Sequence, residues 1–391
     1  MRRFFALELL DNRYPQLHGI RVFAIISVVQ FHVTSIFALE QSIRLDRDWV
    51  MSSLAVFFGM DLFFILSGFL IGTILLYGLK HRDEQKHPIR RFYLRRIFRT
   101  FPAYYAVLTI LALIAFAYTP TALQKKHIIW EYLYATNFFS TARVNTIMSW
   151  GWSLSLEEQF YLVVPLLFFL LRFLKGGVKH IAFLVVMWAS ALVVRLTIYL
   201  THTNSPGFDF YGALYFKTYT RYDTFVAGIL LAVAHDRYRE PIGKWLMAPF
   251  HRALVALPSM LCLWMLARPW TFAGVHMSLF HVFAWGTLTT IMWTGFLLLL
   301  LHGHGPVHTL LSAPIFRRVA TLGYGVYLVH IPLCDNIVVP LAHALDKRHV
   351  PLSLVWMLSF SLLIALSLGV AYVLHLLVEK PSLWVRDRVA A

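Results

Sequence analysis

Ionisable side chains are rare inside the apolar stretches of this 391-residue chain, and those that occur there are the first candidates for chemistry. His32 lies within VVQFHVTS and His330 within LGYGVYLVHIP. Imidazole can accept and return a proton near neutral pH, so His32 is predicted to act as a general base. The alternative for each histidine is a structural residue whose hydrogen bonds are satisfied inside a helix bundle.

Three arginines could bind an anion close to His32. Arg21 precedes His32 by eleven residues, and on an α-helix this spacing puts both side chains on one face, roughly 16 Å apart along the axis. Arg96 and Arg99 share a helix face, and guanidinium pairs suit phosphate. A long ligand with an anionic head could therefore extend from the arginines to His32. The alternative for Arg96 and Arg99 is a basic segment that contacts anionic lipid.

Two adjacent carboxylates stand in WSLSLEEQFYLVVP. Ser155 and Glu158 have the spacing of a capping box at the start of a helix, which predicts a structural role for Glu158. Glu157 has no such explanation, so it is predicted to orient a substrate or to support the His32 imidazolium, as a carboxylate does in a catalytic triad. Six polar residues are expected to support the site or line its pocket: Asp61, Ser67, Glu158, Arg221, Asp223 and His330.

The elements that position these residues are apolar helices. Hydrophobic residues make up 59% of the chain and charged residues 14%. Soluble domains typically have about 45–50% hydrophobic residues and about 25% charged residues. This composition excludes a soluble domain and a disordered chain, and it predicts an all-α polytopic membrane protein. Ten segments approach the roughly 20 apolar residues that span a bilayer: 18–38, 53–78, 102–119, 158–174, 181–200, 222–235, 252–267, 276–301, 319–345 and 352–378.

The net charge of +16 follows membrane topology rather than nucleic-acid binding. With the N-terminus inside, the predicted inside segments hold 24 of the 35 Lys and Arg residues and the outside loops hold 10, as the positive-inside rule expects. Both termini are therefore predicted to be cytoplasmic, and no nucleic-acid partner is expected. We expect no resident metal ion, because His302, His304 and His308 stand on a short loop without carboxylates or cysteines.

Seven motifs, in order, resemble the acyltransferase 3 family of integral membrane O-acyltransferases. LHGIRVFAIISVVQFH corresponds to LDGLRGLAALLVVLFH of the family, and GMDLFFILSGFLI corresponds to GVDLFFVLSGFLI. FYLRRIFRTFPAYY and WSLSLEEQFYLVVP also have close counterparts, and RYDTFVAGILLA, LGYGVYLVHIPL and VEKP follow. The resemblance covers residues 17–381. One departure is His18, which stands where the family usually has Asp.

The resemblance implies one acyltransferase domain over residues 1–391, in the bacterial cytoplasmic membrane. Such an enzyme transfers an acyl group, usually acetyl from acetyl-CoA, to a hydroxyl of a cell-surface or exported glycan or of its lipid-linked precursor. Acyl-CoA would be a co-substrate rather than a permanently bound cofactor, and Arg21, Arg96 and Arg99 would hold its phosphates. The chain ends about ten residues after its last motif, so glycan decoration is expected either to need no second domain or to use a separate extracytoplasmic partner protein.

Two other functions fit parts of the sequence. A transporter or flippase of a glycan or lipid would also have many spans and charges at membrane depth, although the internal repeats of many carriers are absent. An acyltransferase for a lipid or a macrolide-type molecule would share every motif. Direct transfer is favoured over an acyl-enzyme, because no serine or cysteine stands out as an activated nucleophile.

Overall fold

A computed structural model describes residues 7, 9–39, 59–80, 87–118, 120–139, 145–174, 176–205, 208–209, 211–267 and 278–389. This part of the chain consists of helices and turns and contains no strand, which confirms the predicted all-α class. The helices are α1 (Gln16–Leu39), α2 (Gly59–Lys80), α3 (Pro88–Tyr118), α4 (Ala122–Tyr132), α5 (Thr136–Phe139), α6 (Gly151–Leu171), α7 (Gly177–His202), α8 (Thr218–Trp245), α9 (Pro249–Leu266), α10 (Leu279–His302), α11 (Pro306–Leu311), α12 (Pro314–Asp346), α13 (Leu352–Leu374) and α14 (Lys380–Val389). A π-helical turn at His375–Glu379 joins α13 to α14.

Nine helical segments within the described ranges are long and apolar enough to cross a membrane. They correspond to α1, α2, α3, α6, α7, α9, α10, α12 and the continuous pair α13 and α14. The sixth predicted span, 222–235, lies in α8, which has 28 residues but is not apolar enough to be among the nine. α8 packs mainly against α2 and α7, and the polar side chains of Thr220, Arg221, Asp223 and Thr224 in its first two turns are buried.

Two helices begin at least seven residues before the start that the hydropathy pattern predicts. The third predicted span starts at residue 102, but α3 begins at Pro88 and continues through Pro102. The basic segment before the apolar run is therefore the first part of the same helix. The fourth predicted span starts at residue 158, but α6 begins at Gly151. These earlier starts place Arg96, Arg99 and Glu157 on helices that also cross the bundle.

The capping box predicted for Ser155 and Glu158 is wrong. Because α6 begins at Gly151, both residues lie inside the helix. The Ser155 hydroxyl donates to the Gly151 carbonyl oxygen at 3.1 Å, the local bond that satisfies a buried serine within a helix. Glu158 therefore has no capping role. Only the positions of Glu157 and Glu158 in the folded structure can show which of them belongs to the active site.

Close backbone contact fixes α8 against α2. A Cβ atom on Gly68 of α2 would lie 2.1 Å from the Phe225 carbonyl oxygen of α8. A Cβ atom on Gly228 would lie 2.1 Å from the Ile65 carbonyl oxygen. Only glycine fits at either position, as is common where membrane helices approach closely. This contact sets the position of Ser67, the neighbour of Gly68.

Two buried ion pairs join the helices around α8. Arg221 donates to Asp61 of α2, and both side chains are fully buried. The Arg195 guanidinium of α7 lies 2.7 Å from the Asp223 carboxylate. Gly286 of α10 has a φ of +110°, and a Cβ atom there would lie 2.5 Å from Arg195 Nη1. Each buried charge is thus paired, as burial in a low dielectric requires.

Candidate active site

A cavity of about 1110 Å³ opens at one end of the helix bundle. Its mouth is formed by residues 9–14, the ends of α2 and α6, the start of α3 and part of α14. The sequence predicts all these segments on one side of the membrane, and the structure brings them together. Drug-sized ligands occupy pockets of about 300–1,000 Å³, so this cavity can hold a longer molecule.

Nine arginines line this cavity, which is called the arginine cavity below. Its described lining contains two carboxylates, Asp11 and Glu157, and also His18, the residue that departs from the family motif. The arginines are Arg13, Arg21, Arg90, Arg91, Arg95, Arg96, Arg99, Arg172 and Arg386. Such an excess of positive charge in a concave site raises the local concentration of anions. The arginine cavity therefore suits a ligand with several negative charges.

The three arginines predicted to bind phosphate all line the arginine cavity, on α1 and α3. None of Arg21, Arg96 and Arg99 makes a side-chain hydrogen bond or ion pair with another described residue. The Arg96 guanidinium lies over the Tyr161 ring, 5.4 Å from its centroid. All three residues line the cavity, where an anionic ligand could accept charge-assisted hydrogen bonds from their guanidinium groups.

Glu157 lies on the wall of the arginine cavity. Its carboxylate accepts hydrogen bonds from the Ser67 hydroxyl of α2 and from the Tyr161 hydroxyl one turn further along α6. Glu158 follows directly, so it points roughly 100° away around the helix, where it contacts Thr100 of α3 and does not line the cavity. Glu157 therefore lies where the sequence predicts a site residue. Capping does not explain the difference between Glu157 and Glu158, because neither residue caps α6.

The two histidines from opposite ends of the sequence meet in the bundle. His330 Nε2 of α12 lies 3.0 Å from His32 Nδ1 of α1, and the ring centroids are 4.9 Å apart. His330 is fully buried. The structure does not bring Glu157 to His32, because the Glu157 carboxylate is bound by Ser67 and Tyr161. The side chain that contacts the His32 imidazole is instead that of His330.

Tyr327 separates the histidine pair from the arginine cavity. It lines the cavity, and its hydroxyl is hydrogen-bonded to Ser153 and donates to the Trp150 carbonyl oxygen at 3.0 Å. Its own carbonyl oxygen lies 2.7 Å from His330 Nδ1. His32 does not line the cavity itself, but it continues the α1 face that carries the cavity residues Leu17, Arg21 and Ile25. A ligand that reaches His32 from the arginine cavity must therefore pass Tyr327.

Three predicted supporting residues lie elsewhere. Asp61, Arg221 and Asp223 belong to the buried ion pairs around α8 and do not line the arginine cavity. The sequence analysis did not identify Tyr161 and Tyr327 as residues of the site. Helical spacing could have identified both, since Tyr161 is four residues after Glu157 and Tyr327 is three residues before His330.

A buried carboxylate fixes the segment that leads into α6. Glu131 of α4 accepts hydrogen bonds from the backbone N–H groups of Ile147 and Met148, at 2.8 and 2.7 Å. Burial raises the pKa of Glu131, whereas these two donors lower it. The Tyr104 hydroxyl of α3 donates to the Glu131 carbonyl oxygen at 2.8 Å. Glu131 thus ties α3 and α4 to the chain just before α6, and so helps to position Ser153 and Glu157.

Known proteins were compared with the chain. Residues 14–376 match the acyltransferase domain family. The peptidoglycan O-acetyltransferase OatA of Listeria monocytogenes is 27% identical over 82% of this chain and 49% of its own length. The same figures apply to the putative peptidoglycan O-acetyltransferase YrhL of Bacillus subtilis. The O-acetyltransferase OatA of Staphylococcus aureus is 28% identical over 58% of this chain and 35% of its own length.

The alignments thus span about half or less of the length of these relatives. No solved structure matches the chain. The family match nevertheless covers nearly all of the bundle, including His32, Glu157, His330 and the arginines at positions 21, 96 and 99. The chain therefore belongs to the acyltransferase domain family and is a multi-pass integral membrane protein.

Proposed function

We propose that the protein transfers an acyl group, in the first instance acetyl, from acyl-CoA on the cytoplasmic side to a carbohydrate hydroxyl. The protein would act in the bacterial cytoplasmic membrane. The observation that carries this proposal is the arginine cavity, which leads from the mouth of the bundle to Tyr327, next to the histidine pair. A donor with a phosphorylated head and a long thin arm fits a cavity of this shape and charge.

The donor is acyl-CoA in this proposal, because its parts match the lining in order. Arg21, Arg96 and Arg99 bind the phosphate groups, since guanidinium matches phosphate oxygens with paired donors. The pantetheine arm then extends along α1 past Glu157 and Ser67. Movement of the Tyr327 side chain admits the thioester to His32, which lies on the same face of α1 as Arg21.

The reaction transfers the acyl group from the sulfur atom of CoA to the oxygen atom of the carbohydrate hydroxyl. A carbohydrate hydroxyl is a weak nucleophile and needs a base within hydrogen-bond reach. The His32 imidazole takes the hydroxyl proton while the oxygen forms a bond to the acyl carbon. The carbon–sulfur bond breaks, and the CoA thiolate leaves and takes the proton back from His32. Neither a redox step nor a further reactant is needed.

The acceptor is proposed from the relatives. The names of the Listeria and Bacillus proteins specify peptidoglycan, so a hydroxyl of a cell-surface glycan or of its lipid-linked precursor is the first acceptor to test. A separate extracytoplasmic protein could complete delivery to the glycan. A lipid or a small macrolide-type molecule would use the same donor cavity, and transfer of label to glycan or to lipid distinguishes a carbohydrate acceptor from a lipid acceptor.

The test uses the full-length protein in proteoliposomes with radiolabelled acetyl-CoA and peptidoglycan fragments as the acceptor. We expect label in the glycan, and mild alkali should release it, as expected of an O-ester. Label in lipid alone would replace the carbohydrate acceptor with a lipid. Transport of unmodified glycan without consumption of acetyl-CoA would overturn the proposal in favour of a flippase. In parallel, mass spectrometry of surface glycans from a deletion strain should show the loss of one acetyl increment.

A further inference from the structure

The hydrogen bonds around the histidine pair determine where its protons lie. His330 Nδ1 is 2.7 Å from the Tyr327 carbonyl oxygen. His32 Nδ1 is 3.0 Å from the Val28 carbonyl oxygen and 3.0 Å from His330 Nε2. A carbonyl oxygen only accepts hydrogen bonds, so both Nδ1 atoms must carry a hydrogen. His330 Nε2 then holds a lone pair and accepts from His32 Nδ1.

This arrangement leaves the lone pair of a neutral His32 on Nε2. The imidazole of His32 is bound at Nδ1 by two acceptors, one from its own helix and one from α12. The imidazole of His330 is in turn held by the backbone of its own helix. A catalytic base oriented by a second group in this way is the arrangement found in triads, but here the second group is a neutral histidine.

We propose that His330 is a positioning residue that keeps His32 in the tautomer with its lone pair on Nε2. The proposal rests on the function proposed above, with His32 as the base. During transfer, the acceptor hydroxyl gives its proton to His32 Nε2 as its oxygen bonds to the acyl carbon. The departing CoA thiolate removes that same proton. The Nδ1 hydrogen stays on His32 throughout, and His330 Nε2 accepts its hydrogen bond more strongly while His32 is positively charged.

A neutral partner has a consequence inside a membrane. A carboxylate at this position would add a second ionised group to the apolar bundle, at a substantial free-energy cost. A pair of neutral imidazoles would carry one positive charge only while the proton is on His32. Such a pair would orient the His32 imidazole and stabilise its positive charge without a permanently ionised partner.

Two isosteric substitutions separate the two hydrogen bonds of His330. In His330→Asn the amide stands near the former Nδ1 atom, so it can donate to the Tyr327 carbonyl but cannot reach His32. In His330→Gln the amide extends to the former Nε2 position, where its oxygen can accept from His32 Nδ1. A role that serves only the structure of α12 requires the first bond, whereas the positioning role requires the second.

The measurement is acetyl transfer by each full-length variant, resolved into kcat and KM for acetyl-CoA. We expect His330→Asn to lower kcat by about 10²-fold or more, the usual contribution of a positioned base, with KM unchanged. His330→Gln should recover most of that loss. A wild-type kcat in His330→Asn together with a lowered kcat in His330→Gln would overturn the proposal. Failure of the wild-type protein to use acetyl-CoA would instead overturn the proposed function.

A second comparison works even if the glutamine variant folds poorly. Because His330 acts through His32, His330→Asn should cause no further loss of rate in a protein that already carries His32→Ala. An equal fold-change in both backgrounds would show that His330 acts independently of His32, and would contradict the positioning role.

Discussion

Replacement of Arg96 and Arg99 by glutamine removes two cationic groups from the arginine cavity. The change leaves the described hydrogen bonds and ion pairs intact, because neither side chain takes part in one. The change removes the packing of Arg96 over the Tyr161 ring. It also removes the attraction of Arg96 to Glu158 and of Arg99 to Glu379. The variant should therefore insert and fold, so that any defect in donor binding reports on the ligand itself.

The expected loss follows from the number of contacts. A hydrogen bond to a charged group contributes about 1.5–3 kcal/mol, so two independent contacts would contribute about 3–6 kcal/mol. At about 1.4 kcal/mol for each factor of ten, Kd for acetyl-CoA should rise by about 10²- to 10⁴-fold. Since Arg96 and Arg99 are one turn apart and would share phosphate groups, the lower part of this range is expected.

The assay is equilibrium binding of acetyl-CoA to purified protein in nanodiscs, by calorimetry. Arg318→Gln is the matched control, because Arg318 is exposed, lies on the side predicted to be cytoplasmic and does not line the arginine cavity. The control should bind with wild-type Kd. An unchanged Kd in the Arg96→Gln, Arg99→Gln protein would refute the phosphate-binding role and favour contact with anionic lipid.

Two further predictions concern stability and topology. Arg221→Gln leaves Asp61 buried without its ion-pair partner, so the free energy of unfolding should fall by about 3–5 kcal/mol. Thermal unfolding in detergent measures this loss of stability. Addition of Asp61→Asn should restore part of the loss. Single cysteines at Arg318 and at Lys126 should react with a membrane-impermeant reagent from opposite sides of the membrane, and labelling of both from one side would contradict the predicted orientation.

Helical periodicity and loop charge suffice to predict much of this protein. The apolar runs identify the helices, and the spacing of Arg21, Arg96 and Arg99 places them on shared faces that meet at one cavity. The exception among the spans is α8, whose 28 residues include the buried Arg221 and Asp223. These two charges lower the mean hydropathy of the segment. Hydropathy cannot show that Asp61 of α2 pairs with Arg221 or that Arg195 of α7 pairs with Asp223.

The long-range contacts could not be derived from local patterns. His32 and His330 are 298 residues apart in sequence, and no spacing rule relates side chains on helices so distant along the chain. The local rule applied to Ser155 and Glu158 gave the wrong helix start, because a serine inside a helix can bond to a preceding carbonyl as readily as a capping serine bonds to a following N–H. The choice between Glu157 and Glu158 therefore depends on tertiary structure.

The most direct test of the central claim is acetyl transfer by the His32→Gln protein. Glutamine preserves a hydrogen-bonding side chain at this position but cannot accept a proton, so transfer should fall by about 10²-fold or more while Kd for acetyl-CoA stays at its wild-type value. His32→Ala should be equally inactive, and wild-type transfer should decline at acid pH, because a protonated imidazole cannot act as a base. A His32→Gln protein that transfers acetyl at close to the wild-type rate would contradict the account.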